Sequence, residues 1–353
     1  MPIYPQQKTA RPSNPVLTTA VAGYANDPKN FLQDKLLPTL FNASTAGGDS
    51  FWSGTIQRLA EGAMFGDPST DEIVGRGETY PIDEGAEYDP MEFVADKYGR
   101  MVQVPWEDQH MVQSGASPNA MVQLAKIVQT LRLKREARFA SLFMTAANWR
   151  TAVTLGATQK WDQTTSDPNE DFADAIYGVE GFGVSPNVCI LGRKAADDLR
   201  KNGAFLEFDS YTIDRTIMSN ERLADVIKSR YNIEHVFIGT ATHKTATDLQ
   251  TANLTAVNVW DDDVWIGYLP MSPSGAPLNG PGVGQLNATG DLFPMQSMAA
   301  ARVVVEDWTV ETALNSEAGP GFTADVDLHK VRYSESIFAV LPGLGATIAA
   351  TST

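Results

Sequence analysis

The stretch from Ser117 to Trp149 constrains the fold most, because it is long, lacks glycine and has its one proline at the second position. Ser117 is a suitable N-cap, and Pro118 suits the first helical position. Apolar side chains recur at helical spacing on two faces: Leu124, Ile127, Val128, Leu131, Phe139, Leu142 and Ala146 on one, and Leu133, Ala137, Ala140 and Met144 on the other. The pattern predicts a helix over residues 118–148, roughly 45 Å long, that is packed on both sides. Such a helix is a structural spine rather than a catalytic element.

The bulk composition is typical of a folded protein of about two domains. The chain has 353 residues, of which 43% are hydrophobic and 20% are charged, as in globular domains. No apolar run approaches the ~20 residues that span a bilayer, and residues 1–15 lack the apolar core of a secretion signal. The single cysteine, Cys189, lies in the apolar run VCIL, which predicts a buried thiol rather than a nucleophile.

The charge distribution argues against a protein that binds nucleic acid tightly. The formal net charge is −16, whereas tight DNA binding requires concentrated positive charge. A chain of this charge that works beside DNA is expected to enclose it. No sequence-specific binding is predicted.

Two segments of opposite charge stand out. Between Asp67 and Glu92 there are nine acidic residues against one base, Arg76. The predicted helix carries a basic run in which Glu136 is the only acid, formed by Lys126, Arg132, Lys134, Arg135 and Arg138. The acidic segment is either a solvated face or complementary to the basic run, within a subunit or between neighbours.

The remaining chain divides into an extended N-terminal arm, strand-rich segments and a compact α/β unit. Four prolines forbid an early helix in residues 1–48, but apolar anchors between Phe31 and Phe41 predict that the second half of this arm docks. Residues 150–170 are expected to be a connector, and residues 301–313 and 337–349 to contain strands. In the α/β unit, SPNVCILG predicts a buried strand, RKAADDLRKNG a helix capped by Gly203, and SNERLADVIKSRYN a helix capped by Ser219. The apolar runs on either side of Asp261–Asp263 predict a hairpin.

No catalytic, cofactor-binding or metal site is predicted. None of the four histidines, His110, His235, His243 and His329, stands at metal-ligand spacing from another histidine or from Cys189. The aspartates around Asp262 lack the spaced ligands of a calcium loop. The chain is therefore not expected to be an enzyme.

The order of these segments resembles the major capsid proteins of tailed bacteriophages. The resemblance is carried by VPWEDQ and SPNAMVQLAKIVQTLRLKREARFASLF, then SPNVCILGRKAADDLRKNGAF, LADVIKSRYNIEHVFIGTAT and finally VNVWDDDVWIGYLP. It covers roughly residues 50–345, and its specificity lies in the order and spacing of the motifs. It implies an α+β fold, the Hong Kong 97-like phage capsid fold.

The resemblance also implies a domain division and a function. The expected parts are an N-terminal arm (1–48), an extended loop (49–110), a peripheral domain (111–164 and 302–353, with the spine helix at 118–148) and an axial domain (165–301). The chain would self-assemble as pentamers and hexamers into the icosahedral head shell of a virion enclosing double-stranded DNA, after assembly in the host bacterial cytoplasm. Portal, scaffold and decoration proteins would be its partners. The alternatives are an encapsulin-like compartment or, from another class, a cytosolic α/β enzyme or ligand-binding protein.

Charge complementarity then predicts an inter-subunit contact. The acidic residues Asp83, Glu84, Glu87 and Asp89 of the extended loop are expected to meet the spine helix of a neighbouring subunit, at Lys126, Arg132, Lys134, Arg135 and Arg138. Reversing Arg132 and Arg135 to glutamate is accordingly expected to impair assembly and leave a folded monomer.

Overall fold

The computed structural model describes residues 31–42, 52–59, 88–105, 118–163, 165–207, 218–244, 256–279, 284–286, 292–294, 297–313, 326–349 and 351. Most of the acidic segment, including Asp83, Glu84 and Glu87, lies outside these residues. The described α-helices are α1 (Gln33–Leu36), α2 (Pro118–Met144), α3 (Pro168–Glu180), α4 (Arg193–Leu199), α5 (Gly203–Glu207) and α6 (Asn220–Tyr231). Among them no helix is long and apolar enough to cross a membrane.

The described strands form four sheets. They are β1 (Thr39–Asn42), β2 (Ser53–Leu59), β3 (Tyr88–Val94), β4 (Asp96–Pro105), β5 (Thr151–Thr154), β6 (Val188–Leu191), β7 (His235–Ile238), β8 (Thr242–Lys244), β9 (Ala256–Asn258), β10 (Val264–Gly267), β11 (Gly284–Leu286), β12 (Leu292–Pro294), β13 (Ala300–Ala313), β14 (Val326–Ala339) and β15 (Gly345–Ala349). A long sheet has the order β1-β13-β14-β4, a central sheet β5-β15-β10-β6-β7, and a loop sheet β11-β12-β2-β3, while β8 pairs with β9.

Helix α2 is the predicted spine, and it packs on two different cores along its length. Its first half places Leu124, Val128 and Leu131 against Val331 of the long sheet. Farther along, Phe143 is fully buried in the larger core, among Trp149, Trp260 and Trp265, with ring centroids 4.7–6.4 Å away. The predicted second apolar face is wrong in part, because its Ala137 is exposed.

The spine helix also ends earlier than predicted, at Met144 rather than at residue 148. A 3-10 turn, Ala146–Asn148, follows it. The last carbonyls of a helix need external donors, and the side chains of the next residues supply them: Asn148 donates to Leu142 O and Trp149 Nε1 to Phe143 O, both at 2.8 Å. Because these side chains satisfy the last carbonyl groups, the helix can end at Met144.

The central sheet confirms part of the predicted α/β unit. Strand β6 is buried on both faces and contains Cys189, which is fully buried and whose pKa is raised by that burial. Helix α6 begins as predicted, since the Ser219 side chain accepts from Arg222 N. Gly203 is not a C-cap, because it begins α5; α4 ends earlier, and Asn202 Oδ1 accepts from Phe205 N at 3.1 Å.

Two other expectations about this unit are wrong. The strands β9 and β10 do not form a hairpin, because β10 pairs with β6 and β15 while β9 pairs with β8. Between them Trp260 is fully buried against Gly239, where a Cβ atom would lie 2.2 Å from the indole ring. The expected connector at 150–170 contains strand β5 and the start of α3.

The second half of the N-terminal arm docks on the body of its own chain. Leu36, Leu37 and Leu40 are at most 1% exposed, and β1 runs parallel to β13 at the edge of the long sheet. Docking is therefore confirmed for residues 31–42.

The sheet pairing cuts across the expected domain division at several places. Strands β5 and β15, assigned to the peripheral part, belong to the central sheet with β6, β7 and β10 of the axial part. Strand β12, assigned to the axial part, pairs with β2 of the extended loop.

Candidate functional site: a buried ionic cluster beneath the arm

A cluster of buried charges lies where the arm, the spine helix and the long sheet meet. Arg135, on the spine helix, forms a forked ion pair with Glu335 of β14, with Nη2 2.7 Å and Nε 2.9 Å from the carboxylate. Its Nη1 donates to Asp34 of α1 at 3.1 Å. Because Arg135 and Glu335 are 5% and 2% exposed, the cluster belongs to the interior of the chain.

Two further arginines surround Asp34. Arg132 Nη2 lies 3.7 Å from Asp34 Oδ2, and Arg302 Nη1 lies 3.8 Å from Oδ1. Arg302 Nε also donates to Thr39 Oγ1 at 2.7 Å. The carboxylate of Asp34 thus faces three arginines, which belong to the spine helix and to β13. These ion pairs connect the arm to both elements.

Arg138 closes the cluster on its more open side. It donates to Glu335 at 3.2 Å and to the hydroxyl of Tyr333. Its guanidinium lies 3.6 Å from the ring centroid of Tyr98 on β4, a cation–π geometry. This contact joins the spine helix to β4, the strand that leads out of the extended loop.

The pKa of the carboxyl group of Glu335 reflects these partners. Burial opposes its ionisation, but the charge and hydrogen bonds of Arg135, with Arg302 and Arg138, hold its pKa below the ordinary value of 4.5. For Arg135, burial acts against the charge, yet Glu335 and Asp34 raise its pKa. Both groups are therefore ionised at neutral pH.

Glu136 forms a second junction beside the cluster. Its carboxylate accepts from the backbone N–H groups of Leu32 and Gln33, each at 2.9 Å, and from Trp260 Nε1 at 2.6 Å. Burial raises the pKa of this fully buried carboxyl, although all three donors act to lower it. One side chain of the spine helix therefore holds both the arm and the Trp260 segment.

The chemistry of this arrangement is that of a structural junction. Each of its arginines faces a carboxylate of the same chain, and its carboxylates face arginines or N–H groups. Within the described ranges, no three His, Cys, Asp or Glu side chains are grouped so that they could hold a metal ion.

Comparison with known structures gives an informative match. No protein-family model and no curated protein matches the chain. The crystal structure of a phage-related protein from Bordetella bronchiseptica RB50 matches 96% of this chain and 97% of its own, with 19% identity and a TM-score of 0.63. The two chains share a fold. It is an α+β fold, the class that the sequence resemblance implied.

Two more distant structures are similar over most of their length. A virus-like particle from Pyrococcus furiosus matches 94% of this chain and 97% of its own at 11% identity, with a TM-score of 0.49. The capsid of cyanophage P-SCSP1u matches 90% and 87% at 11% identity, with a TM-score of 0.48. Both scores are below 0.5, and we infer nothing from these two likenesses.

Burial separates the predicted contact residues into two groups. Arg132 and Arg135 are 3% and 5% exposed and face Asp34 and Glu335 of their own chain. The prediction that these two arginines contact acidic residues of a neighbouring subunit is therefore wrong. Reversing them to glutamate would place negative charge beside buried carboxylates, so a folded monomer is no longer expected. Arg138 is partly buried in the same cluster.

The contacts expected for the other residues remain predictions. Lys126 and Lys134 are exposed on the spine helix. Asp89, at the base of the extended loop, has a side chain that is 58% exposed and lies 3.9 Å from Arg58 of the adjacent strand. Asp83, Glu84 and Glu87 lie outside the described residues.

Sequence reasoning missed Asp34, Arg302 and Glu335, the partners that give the cluster its charge balance. Asp34 and Arg135 are 101 positions apart, and Glu335 is 200 positions from Arg135. One signal was available, because Arg132 and Arg135 fall at helical spacing on the apolar face that contains Val128 and Phe139. Charged residues on a buried face require partners of opposite charge.

Proposed function

We propose that this chain is the major capsid protein of a tailed bacteriophage. Its copies self-assemble as pentamers and hexamers into the icosahedral head shell of the virion, which encloses double-stranded DNA without reading its sequence. Assembly takes place in the host bacterial cytoplasm with portal, scaffold and decoration proteins as partners. The chain acts as a structural protein and not as an enzyme.

The observation that carries this proposal is the fold shared with a phage-related protein over 96% of the chain. The net charge of −16 supports it, since a shell wall of that charge does not hold DNA tightly. The proposal includes the division into arm, extended loop, peripheral and axial domains. In this proposed division, strands β5 and β15 belong to the axial domain and strand β12 belongs to the extended loop.

Electron microscopy of the chain expressed alone, with its sedimentation profile, tests the proposal. We expect closed shells, tubes, or free pentamers and hexamers, because heterologous contacts that close into rings build such assemblies. Shells that copurify with a protein cargo would favour an encapsulin-like compartment instead. A small oligomer that stays small when scaffold protein is added, and that a metabolite stabilises against heat, would contradict the proposal.

The exposed lysines of the spine helix yield a prediction about assembly. We propose that Lys126 and Lys134 meet the acidic segment of a neighbouring extended loop. Reversing both to glutamate should lower shell yield about tenfold, because like charges across an interface cost several kcal/mol. The monomer should keep its stability within about 0.5 kcal/mol, since both side chains are exposed. Sedimentation measures the yield and thermal unfolding the stability.

A charge-swap variant provides the control. Reversing Asp83, Glu84 and Glu87 to lysine in the double-glutamate variant should restore shells if these groups meet. Neutral Lys126→Gln and Lys134→Gln changes should have a smaller effect. Normal shells from the double-glutamate variant would exclude the contact.

A further inference from the structure

A basic cavity of about 430 Å³ lies between the docked arm and the central sheet. Helix α1 lines it with Asp34 and Lys35, α6 with Lys228, and β7 with His235. A turn around Gly275 completes the wall. We propose that this cavity binds a phosphate-type oxyanion that bridges the arm and the body of the chain.

The charges around the cavity favour an anion. Within the described part of the chain, neither Lys35 nor Lys228 forms an ion pair or a hydrogen bond through its side chain. The carboxylate that lines the cavity, Asp34, faces Arg132, Arg135 and Arg302 at 3.1–3.8 Å, so its charge is compensated. Among the residues that the structure describes, these two ammonium groups therefore border the cavity without an ion-pair partner. Oxyanions are the ligands that such groups bind through charge-assisted hydrogen bonds.

His235 packs into the same wall. Its Nε2 is buried and has no hydrogen-bond partner among the described residues, and the nearest carboxylate is Glu234 at 3.8 Å, with a side chain 71% exposed. The turn comes close to this ring because Gly275 has φ +77°, and a Cβ there would lie 3.3 Å from His235 Nδ1. Because Nε2 is inaccessible to solvent, the imidazole packs inside the wall, and a bound oxyanion would contact the two ammonium groups.

The site exists only when the arm is docked. Lys35 follows Asp34 of the ionic cluster and lies two residues after Gln33, whose N–H donates to Glu136, so these two contacts fix its position. Lys228 and His235 belong to the central-sheet side. A ligand that requires both walls binds the docked state alone and shifts the equilibrium toward it.

Hydrogen exchange of residues 31–42 in the purified full-length chain tests this inference, with inorganic phosphate as the probe at constant ionic strength. At about ten times its dissociation constant, phosphate should slow exchange of these amides about tenfold relative to chloride. The double variant Lys35→Gln, Lys228→Gln should lose this protection. The matched double variant Lys97→Gln, Lys201→Gln, which removes two exposed lysines outside the cavity, should keep it.

Two further probes distinguish the source of the oxyanion. Protection by a short thymidine oligonucleotide as well as by phosphate would support the site and identify a nucleic-acid backbone as its ligand. Protection by phosphate alone would support a free oxyanion. Equal protection by chloride, unchanged protection in the Lys35 and Lys228 variant, or protection only by an acidic peptide of residues 78–92 would overturn the inference. The measurement concerns the arm of one chain, so it stands whether or not shells form.

Discussion

Replacing Glu335 by glutamine is expected to lower the free energy of unfolding by about 3–5 kcal/mol, the largest loss that we predict for an isosteric change. The amide keeps the shape but removes the charge that faces Arg135 at 2.7 Å and Arg138 at 3.2 Å. Asp34 would then be the remaining carboxylate close to Arg135. Urea unfolding followed by circular dichroism measures the loss.

An exposed pair of the same sheet provides the control. Lys97 lies 3.6 Å from Glu306, and its side chain is 40% exposed. Its change to glutamine should cost less than about 1 kcal/mol, because solvent screens such pairs. The double variant Arg135→Met, Glu335→Leu should recover much of the stability, since apolar side chains can replace a buried pair. A loss below 1 kcal/mol in Glu335→Gln would contradict the assigned role of the cluster.

The Glu335→Gln variant should also change how the free energy of unfolding depends on pH in the acid range. Because the pKa of Glu335 is lower in the folded chain than its ordinary 4.5, its contribution is complete above that value and is lost as the pH falls through the lower folded pKa. The Glu335→Gln chain should therefore lose less stability below pH 4.5 than the unchanged chain does. The effect of Glu136 on the pH dependence of stability has the opposite sign. Its pKa is raised in the folded chain, so its ionisation opposes folding, and stability falls as the pH rises through that raised pKa.

Replacing Glu136 by alanine is expected to release the arm. The change removes the acceptor of three buried N–H groups, on Leu32, Gln33 and Trp260, and each buried donor left unpaired costs about 1–3 kcal/mol. Undocking lets the two backbone groups reach water, which is less costly than leaving them unpaired. Amide exchange of residues 31–42 should rise by at least about a hundredfold, while β13 and β14 stay protected.

Two variants make this test specific. Ser141→Ala changes an exposed position of the same helix and should leave the arm protected. Glu136→Gln should be intermediate, because its amide oxygen can accept from two donors while its NH₂ group faces the third. Arm protection that is unchanged in Glu136→Ala would show that apolar contacts of Leu36, Leu37 and Leu40 suffice to dock it.

Much of the local structure could be predicted from the sequence. The apolar periodicity of the spine helix, the Ser219 cap of α6 and the apolar run around Cys189 each depend on neighbours within a few positions, and the described structure contains all three. The early end of the spine helix was missed because Asn148 and Trp149 cap its carbonyls from beyond the helix. Such a cap depends on the path of the following chain, which the helical pattern does not contain.

The candidate site was predictable only in part. Sequence reasoning identified the basic run of the spine helix and noted Glu136 as its one acid, but it assigned the arginines to a neighbouring subunit. A run of basic residues is usually solvated, and here the apolar face passes through it at Arg132 and Arg135. The partners Asp34 and Glu335 come from segments 101 and 200 positions from Arg135.

The α+β class was implied by the order of the sequence motifs. The sequence by itself determined the spine helix and the negative net charge. Those properties follow from periodicity, capping and composition, which are local or additive. The tertiary structure alone decided which charges are buried, which strands share a sheet and where the arm docks. Burial of an arginine is tolerable only when a carboxylate is brought within hydrogen-bond distance, and that distance is set by the packing of remote segments.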